Sequence, residues 1–166
     1  MNEFDKDFMG LALEEAKKAL QEGLLPVGSV VVQNGKVIGV GRRFKEGHPY
    51  LDHAEIVSLR TALGKNANGE MATLYTTLEP CLMCFSTILN SRRIERIVFA
   101  IEDPYGGGTN LPKSVLTPRY QEWWPVIEGS VRRDDALILL KSFFSSTKDP
   151  YWSNPNNPLR KLGVSI

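Results

Sequence analysis

The sequence contains few cysteines, few histidines and almost no net charge. Its 166 residues include two cysteines and two histidines, and the formal net charge is +1. Two cysteines three positions apart cannot build a disulfide framework, so metal or redox chemistry is the question they raise. A near-neutral charge removes one argument for a nucleic-acid partner, although a local basic patch can still bind one.

Long apolar runs are also missing. No run reaches the roughly 18 residues that span a bilayer, so we expect no membrane partner. Residues 1–7 are acidic and mixed, without the basic start and apolar stretch of a signal peptide, which favours a cytoplasmic protein. Because 42% of the residues are hydrophobic, the chain has enough apolar material for the core of one domain.

Helical and strand patterns alternate along the chain. Helical spacing of apolar residues, with Asp52 as an N-cap, predicts helices over 4–21, 52–60, 81–90 and 131–144. Runs of β-branched and aromatic residues predict strands over 27–32, 36–41, 73–78, 96–100 and 126–127. Asn34-Gly35 predicts a hairpin turn between the first two strands. The order predicts an α/β fold of three α/β/α layers around a mixed sheet.

The remaining segments are predicted to be irregular. Residues 64–69 form a polar loop, and two prolines in 110–124 favour short pieces there. We place one folded domain at 1–148 and a tail at 149–166. Proline and asparagine are so frequent in 149–158 that we expect no regular structure in it.

Cys81-Leu82-Met83-Cys84, directly after Pro80, provides two sulfurs with a two-residue gap. At a helix N-terminus both can point to one ion, and the helix dipole favours the thiolates. Alone, this spacing fits a redox pair or ordinary core equally well. His53-Ala54-Glu55, taken alone, fits a hydrogen-bonded histidine and a surface glutamate. Together, His-x-Glu followed by Pro-Cys-x-x-Cys is the signature of zinc-dependent nucleobase deaminases.

The combined set predicts one zinc ion per subunit, held by His53, Cys81 and Cys84. Three protein ligands leave the fourth zinc position open for water, and zinc lowers the pKa of that water towards ~7. The resulting zinc-bound hydroxide attacks the ring carbon that carries the amino group. Glu55 is the predicted proton shuttle between water, ring nitrogen and departing ammonia. The expected enzyme is a hydrolytic deaminase of a cytosine-, guanine- or adenine-type base or nucleoside.

A closed structural zinc site is the alternative for the same residues. His48 and His53 with the two cysteines formally make a Cys2His2 set, which would leave no position for catalysis. The histidine pair precedes the cysteine pair, the reverse of the usual zinc-finger order. A chain of this size also has core enough to fold without a structural metal.

His53-Ala54-Glu55 and Thr76-Thr77-Leu78-Glu79-Pro80-Cys81-Leu82-Met83-Cys84 resemble the cytidine deaminase superfamily. Within it, the chain is most similar to bacterial tRNA adenosine deaminases, and next to cytosine and guanine deaminases. The resemblance implies the three zinc ligands, the acid/base Glu55 and a five-stranded mixed sheet. It also implies a homodimer in which the partner subunit helps to shape each active site. The predicted substrate contacts are Leu25, Arg43, Ala54 and Asp103, the last matching an acidic position of the tRNA enzymes.

Two departures from the family concern the substrate. Arg43, or Arg42, stands where relatives usually carry an asparagine; a guanidinium donates and cannot accept, which suits a carbonyl, carboxylate or phosphate. The alternative is a solvated surface arginine. The tRNA enzymes end in a basic helix, whereas here Tyr151 and Trp152 lie in a tail that either covers a pocket mouth as a lid or packs on the surface.

Three functions therefore remain open at this point. The first is a deaminase of a free nucleobase or nucleoside, which the charge balance, Arg43 and the tail favour. The second is a tRNA adenosine-to-inosine deaminase. The third is a non-catalytic, zinc-bearing interaction module.

Overall fold

Strands and helices alternate in the computed structural model, which describes residues 3–65 and 69–164. The strands are β1 (Gly28–Gln33), β2 (Lys36–Arg42), β3 (Ala72–Leu78), β4 (Ile94–Ile101) and β5 (Val126–Glu128). The helices are α1 (Glu3–Gln21), α2 (Ala54–Lys65), α3 (Leu82–Ser91), α4 (Pro118–Glu122), α5 (Arg133–Ser146), α6 (Pro150–Ser153) and α7 (Pro158–Val164). A 3₁₀ turn at Lys113–Val115 and the short α4 confirm the predicted short pieces.

The five strands form one mixed sheet in the order β2-β1-β3-β4-β5. β1 pairs antiparallel with β2 and β3, whereas the β3–β4 and β4–β5 pairs are parallel. At the predicted hairpin, Asn34 and Gly35 have φ values of 50° and 71°. Two positive φ values in succession give the type I′ turn, whose twist matches that of the flanking strands. The prediction of a five-stranded mixed sheet is confirmed.

Successive side chains of the central strands point to opposite faces of the sheet, as strand geometry requires. On one face, Val30, Tyr75 and Val98 are buried in a cluster with α1 and α5. On the other face, Val31 and Leu74 are buried in a cluster with α2 and α3. The sheet is thus the middle of three layers, and the predicted α/β/α architecture is confirmed. Within the two described ranges, no helix combines the length and apolar character that membrane crossing requires.

The C-terminal ends of β2, β3 and β4 lie at the same end of the sheet. Arg42 pairs with Gly28 at the start of β1, and Glu79 N donates to Ile101 O at 2.7 Å. α2 packs so tightly on β2 that a Cβ added at Gly41 would lie 2.1 Å from Ala54 O. Only glycine permits this approach. The first turns of α2 and α3 therefore meet at the end where open α/β sheets usually bind ligands.

The prediction that 149–158 lacks regular structure is wrong. Asp149 caps α6 with its carboxylate, which accepts from the backbone N–H groups of Tyr151 (2.8 Å) and Trp152 (3.2 Å). Proline at the first helical position is favourable, because its missing N–H would have no helical partner there. Both tail helices, α6 and α7, begin at a proline.

Asp52 is not the N-cap of α2, which begins at Ala54. Its carboxylate instead accepts from the backbone N–H of His48 at 2.9 Å and from Arg60 at 3.2 Å. The Asp52 carboxylate therefore stabilises the loop before α2 and does not cap the N-terminus of the helix. The predicted polar loop over 64–69 is wrong for residues 64 and 65, which belong to the last turn of α2, and its residues 66–68 lie outside the described ranges.

Candidate active site

Two helix N-termini carry the three predicted metal ligands. His53 directly precedes α2, Cys81 is the extended residue that caps α3, and Cys84 lies in the first turn of α3. The Nδ1 atom of His53 lies 3.5 Å from the Sγ atom of each cysteine. One ligand atom from each residue falls within 4.8 Å of the others.

These distances fit a tetrahedral zinc ion. With Zn–S near ~2.3 Å and Zn–N near ~2.05 Å, a tetrahedral angle places nitrogen and sulfur about 3.6 Å apart. The 3.5 Å separations agree with that value. A nitrogen and two sulfurs are also ligands that zinc accepts readily. The donor set and its geometry therefore match the zinc ion that the sequence predicts.

The two cysteines have pKa values shifted in opposite directions. A hydrogen bond from the Cys84 thiol lowers the pKa of Cys81 to about 4, and His53 contributes to the same effect. The contact with Cys81, together with burial, raises the pKa of Cys84. The hydrogen bond with Cys81 also raises the pKa of His53, against the effect of burial. A divalent cation would replace these protons and stabilise both thiolates.

His48 does not join the metal ligands. Its Nδ1 atom accepts from the backbone N–H of Tyr50 at 3.3 Å, in the loop before α2. The group of potential ligands found within the described residues comprises His53, Cys81 and Cys84 alone. This arrangement has three protein ligands, which is the pattern of a catalytic rather than a closed zinc site.

Glu55 lies in the first turn of α2, two residues after His53, and is almost completely buried, with 4% of its surface exposed. Its Oε2 atom is 3.6 Å from the Sγ atom of Cys84. Burial, which disfavours the charged carboxylate, raises the pKa of Glu55 to about 7. A carboxyl group with such a pKa can both accept and donate a proton near neutrality, as general acid/base chemistry requires.

A cavity of about 680 Å³ opens beside the metal ligands. Its lining includes His53, Glu55 and Cys81. The wall is formed by the loop after β2, by the segment before β1 and by the C-terminal tail. The tail and α5 contribute Phe143, Asp149, Tyr151, Trp152 and Leu159.

All four predicted substrate contacts line this cavity. Leu25 and Ala54 are buried apolar residues in its wall. Arg43 is partly buried there, whereas Arg42 points to α1 and forms an ion pair with Glu22 at 2.8 Å. Asp103 also faces the cavity, but its Oδ1 atom accepts two backbone N–H bonds within its own loop, at 3.0 and 2.9 Å.

Glu79 is a residue of the site to which the sequence analysis assigns no role. Its buried carboxylate accepts from Asp103 N at 2.9 Å, Thr109 N at 3.2 Å, the Thr109 hydroxyl, and Asn110 Nδ2 at 3.4 Å. The same loop returns to the metal turn, where Gly108 N donates to Pro80 O at 2.8 Å. Glu79 therefore joins the zinc-binding turn to the loop that carries Asp103. An acidic residue at a buried strand end, directly before a metal-binding turn, is the signal that points to it.

We expect Glu79→Gln to destabilise the protein. The amide NH2 group would face N–H and O–H donors in place of a charged acceptor, which costs about 2–4 kcal/mol of unfolding free energy. For a chain of this size that corresponds to a midpoint roughly 5–15 °C lower in a thermal unfolding experiment. Glu95→Gln, on an exposed residue of β4, serves as the matched control. Equal midpoints for both variants would contradict the structural role of Glu79.

The fold and the site together define a class, the zinc-dependent hydrolases with three protein ligands and a carboxylate beside them. Comparison with known proteins specifies the family. Residues 2–101 match the model of the cytidine and deoxycytidylate deaminase zinc-binding region. The tRNA-specific adenosine deaminase of Bacillus subtilis strain 168 is 34% identical over 144 residues, 84% of this chain and 88% of that protein. The chain belongs to the cytidine and deoxycytidylate deaminase zinc-binding family.

Solved structures agree with this assignment. A structure from studies of A-to-I editing by tRNA:A34 deaminases has a TM-score of 0.71 at 32% identity, covering 81% of this chain and 99% of that one. A deaminase/reductase from Thermotoga maritima has a TM-score of 0.65 at 29% identity, and the match covers 82% of this chain and 39% of the larger protein. NE0047, in complex with 2,6-diaminopurine, has a TM-score of 0.72 at 22% identity and supports the fold alone.

The family assignment decides between enzyme and interaction module. The chain is a zinc-dependent hydrolytic deaminase that cleaves a carbon–nitrogen bond of a nucleobase-type substrate, as predicted. The alternative of a non-catalytic zinc module is therefore wrong.

Proposed function

We propose that this enzyme deaminates a free amino-substituted nucleobase or nucleoside. The observation that carries the proposal is the position of the C-terminal tail, which supplies part of the wall of the cavity next to Glu55. A wall of this kind encloses a small molecule well. A base that remains attached to a folded tRNA must enter with its backbone, which needs an open groove.

The tail is held in place by several contacts. The ring of Trp152 packs against Phe143 and Phe144, with centroid distances of 6.1 and 6.4 Å. Arg160 Nη1 donates to Trp152 O at 3.1 Å, and the Arg160 guanidinium lies over the Phe144 ring at 5.6 Å. Leu159, in α7, is buried in the same core cluster as Phe143. We interpret the tail, predicted over 149–166 and described here to residue 164, as a lid whose described part packs on α5 and closes over the substrate.

The proposed chemistry assigns a role to each group of residues. His53, Cys81 and Cys84 hold zinc, which when bound supplies a Lewis acid that lowers the pKa of water towards ~7. Glu55 accepts a proton from the attacking water and delivers it to the ring nitrogen, then helps ammonia to leave. One water is consumed, the ring carbon exchanges its amino group for an oxo group, and one ammonia is released. The buried Leu25 and Ala54 provide apolar contact to the ring.

A tRNA adenosine deaminase is the second candidate. The observation that favours it is the similarity to curated tRNA-specific adenosine deaminases, such as that of Streptococcus pyogenes serotype M18, which is 29% identical over 145 residues. Under this alternative the tail must move away from the cavity when tRNA binds.

Ammonia release across a substrate panel separates the two candidates. The panel contains aminopurines, aminopyrimidines, their nucleosides and a tRNA anticodon stem-loop, all assayed with the zinc-loaded enzyme. We expect the highest kcat/KM on a free base or nucleoside. A higher kcat/KM on the stem-loop than on every small compound would replace this proposal with the tRNA activity.

The lid makes a separate prediction. Trp152→Ala should raise KM for the preferred small substrate by about 10-fold, because loss of one aromatic contact to a base costs ~1–3 kcal/mol. Trp123→Ala is the matched control, since Trp123 contacts Arg92 and does not line the cavity. If both variants show the same KM as the unmodified enzyme, residues 149–166 are not a lid.

The homodimer also belongs to this proposal. Leu82 and Tyr105 are 57% and 68% exposed, and Leu82 directly follows the metal ligand Cys81. Exposed large apolar side chains beside an active site favour a protein contact there. Light scattering should give the mass of two chains, and the mass of one chain at assay concentration would contradict the dimer.

A further inference from the structure

Arg43 reaches the active site because of how β2 meets α2. Gly39 and Gly41 let the strand approach the helix so closely that added Cβ atoms would lie 2.2 Å from Ser58 O and 2.1 Å from Ala54 O. Ala54 separates the metal ligand His53 from Glu55. The chain that leaves β2 is therefore delivered to the rim of the catalytic cavity, and Arg43 is the second residue after Gly41.

The two consecutive arginines have different environments. Arg42 forms two ion pairs, one with Glu15 in α1 at 3.8 Å and one with Glu22, directly after α1, at 2.8 Å. Arg43 lines the cavity and is partly buried. Among the described residues its one hydrogen bond runs from Nη2 to the carbonyl oxygen of Pro49, and it forms no ion pair. Arg43 thus has most of its donors uncommitted.

The charges around Arg43 do not satisfy it. Glu55 and Asp149 are near enough to interact electrostatically with the guanidinium, and so is His53, but none of them forms a hydrogen bond to it. A guanidinium carries five N–H donors and remains charged in proteins. Partial burial removes water from these donors, and the cost is recovered only when an acceptor takes the place of the water.

We propose that Arg43 selects substrates that present an oxygen acceptor to the cavity wall, so that the enzyme prefers oxo-substituted amino-heterocycles to those without an oxo group. This inference rests on the proposed function, since it concerns a small substrate bound over Glu55. The guanidinium donates hydrogen bonds but cannot accept them. It therefore binds a carbonyl oxygen better than it binds a ring edge that carries N–H groups. Adenine-type bases, which carry no oxo group on the ring, are disfavoured at the same position.

The test compares substrate pairs that differ by one oxo group and keep the same amino position. Guanine is paired with 2-aminopurine, and cytosine with 4-aminopyrimidine. For each pair, the oxo preference is the ratio of kcat/KM with and without the oxygen, which cancels effects common to both members. The variants are Arg43→Asn, Arg43→Lys and, as the matched control, Arg42→Asn.

We expect Arg43→Asn to reduce the oxo preference by about 10- to 100-fold, as expected for loss of a charge-assisted hydrogen bond. The oxo preference of Arg43→Lys should lie between those of the unmodified enzyme and Arg43→Asn, since a lysine keeps the charge but not the planar guanidinium. Arg42→Asn should leave the preference unchanged. If Arg43→Asn fails to fold, the Arg43→Lys comparison still tests the inference.

A phosphate could supply the same acceptor chemistry as a ring carbonyl. Comparing cytidine with cytidine 5′-monophosphate distinguishes the sources: a phosphate preference lost in Arg43→Asn assigns the acceptor to the substituent, and an unchanged ratio assigns it to the ring. An equal loss of kcat/KM on both members of every pair would overturn the inference and leave the proposed function intact. No ammonia release from any small compound, with turnover of the anticodon stem-loop, would overturn both.

Discussion

We expect Glu55→Gln to lower kcat for ammonia release by about 10³-fold, within the ~10²–10⁴ range of positioned general acid/base groups, and to leave zinc bound. Glutamine has the shape of glutamate but cannot accept or deliver a proton at neutral pH. Because the side chain is buried 3.6 Å from Cys84 Sγ, bulk water cannot readily replace it as a proton carrier. The measurements are steady-state ammonia release and zinc content per chain by atomic absorption.

The same variant should be at least as stable as the unmodified protein when metal-free. The pKa of Glu55 is raised by burial from 4.5 to about 7, so the folded protein holds a proton there that the unfolded chain releases between these values. The folded state therefore loses stability as pH rises from 4.5 to 7, and the loss persists above pH 7. A neutral glutamine has no such dependence. The stability difference in favour of Glu55→Gln should grow over this pH range in urea unfolding of the metal-free forms.

A stable, zinc-loaded and inactive variant separates a catalytic role from a folding role. Glu95→Gln, on the exposed side of β4, controls for the loss of one carboxylate and should keep full kcat. Full turnover by Glu55→Gln would remove Glu55 from the mechanism, whatever the zinc content.

The parts of the structure that the sequence predicts are those set by local patterns. The Asn34-Gly35 turn, the β-branched and aromatic runs of β1 and β3, and the helical spacing of α1 all act through neighbours in the chain. The metal ligands were also predictable, because a helix N-terminus fixes the direction of Cys81 and Cys84. What joins His53 to them is the close packing at Gly41, a contact between β2 and α2 that no local pattern contains.

The parts that the sequence does not predict depend on distant partners. α6 has four residues, too few to be stable alone, and it forms because Trp152 packs on Phe143 and Phe144. Glu79 has a role only because the loop 103–110 brings its donors to the carboxylate. The placement of Arg43 in the cavity and of Arg42 on α1 likewise depends on which face of the strand end each side chain occupies.

We expect Cys84→Ser to abolish stoichiometric zinc binding and, with it, all measurable deamination. Substituting a residue that hydrogen-bonds to a metal ligand typically lowers metal affinity about 10- to 100-fold. Loss of a ligand itself should therefore lower it by more than about 100-fold. Serine keeps the size of cysteine but does not ionise near neutral pH, and Cys84 is fully buried, with 0% exposed. Zinc content after gel filtration and titration with a competing chelator give the affinity directly.

Zinc removal should also lower the stability of the unmodified protein but not that of Cys84→Ser. A ligand at about 1,000 times its Kd stabilises the native state by ~4 kcal/mol, which for a chain of this size corresponds to roughly 8–16 °C in melting temperature. Adding a chelator should therefore reduce the midpoint of the unmodified enzyme to that of its metal-free form. The midpoint of Cys84→Ser should not respond to the chelator.

His48→Ala tests the open, three-ligand site against a closed site with four protein ligands. His48 accepts from Tyr50 N, within its own loop and not at the metal ligands, so this variant should bind zinc with unchanged affinity and keep its response to chelator. Loss of zinc binding in His48→Ala would mean four protein ligands and no position for water. Zinc retained in His48→Ala and Glu55→Gln but lost in Cys84→Ser would establish a three-ligand site, in which the fourth position is free for the reaction and Glu55 serves catalysis alone.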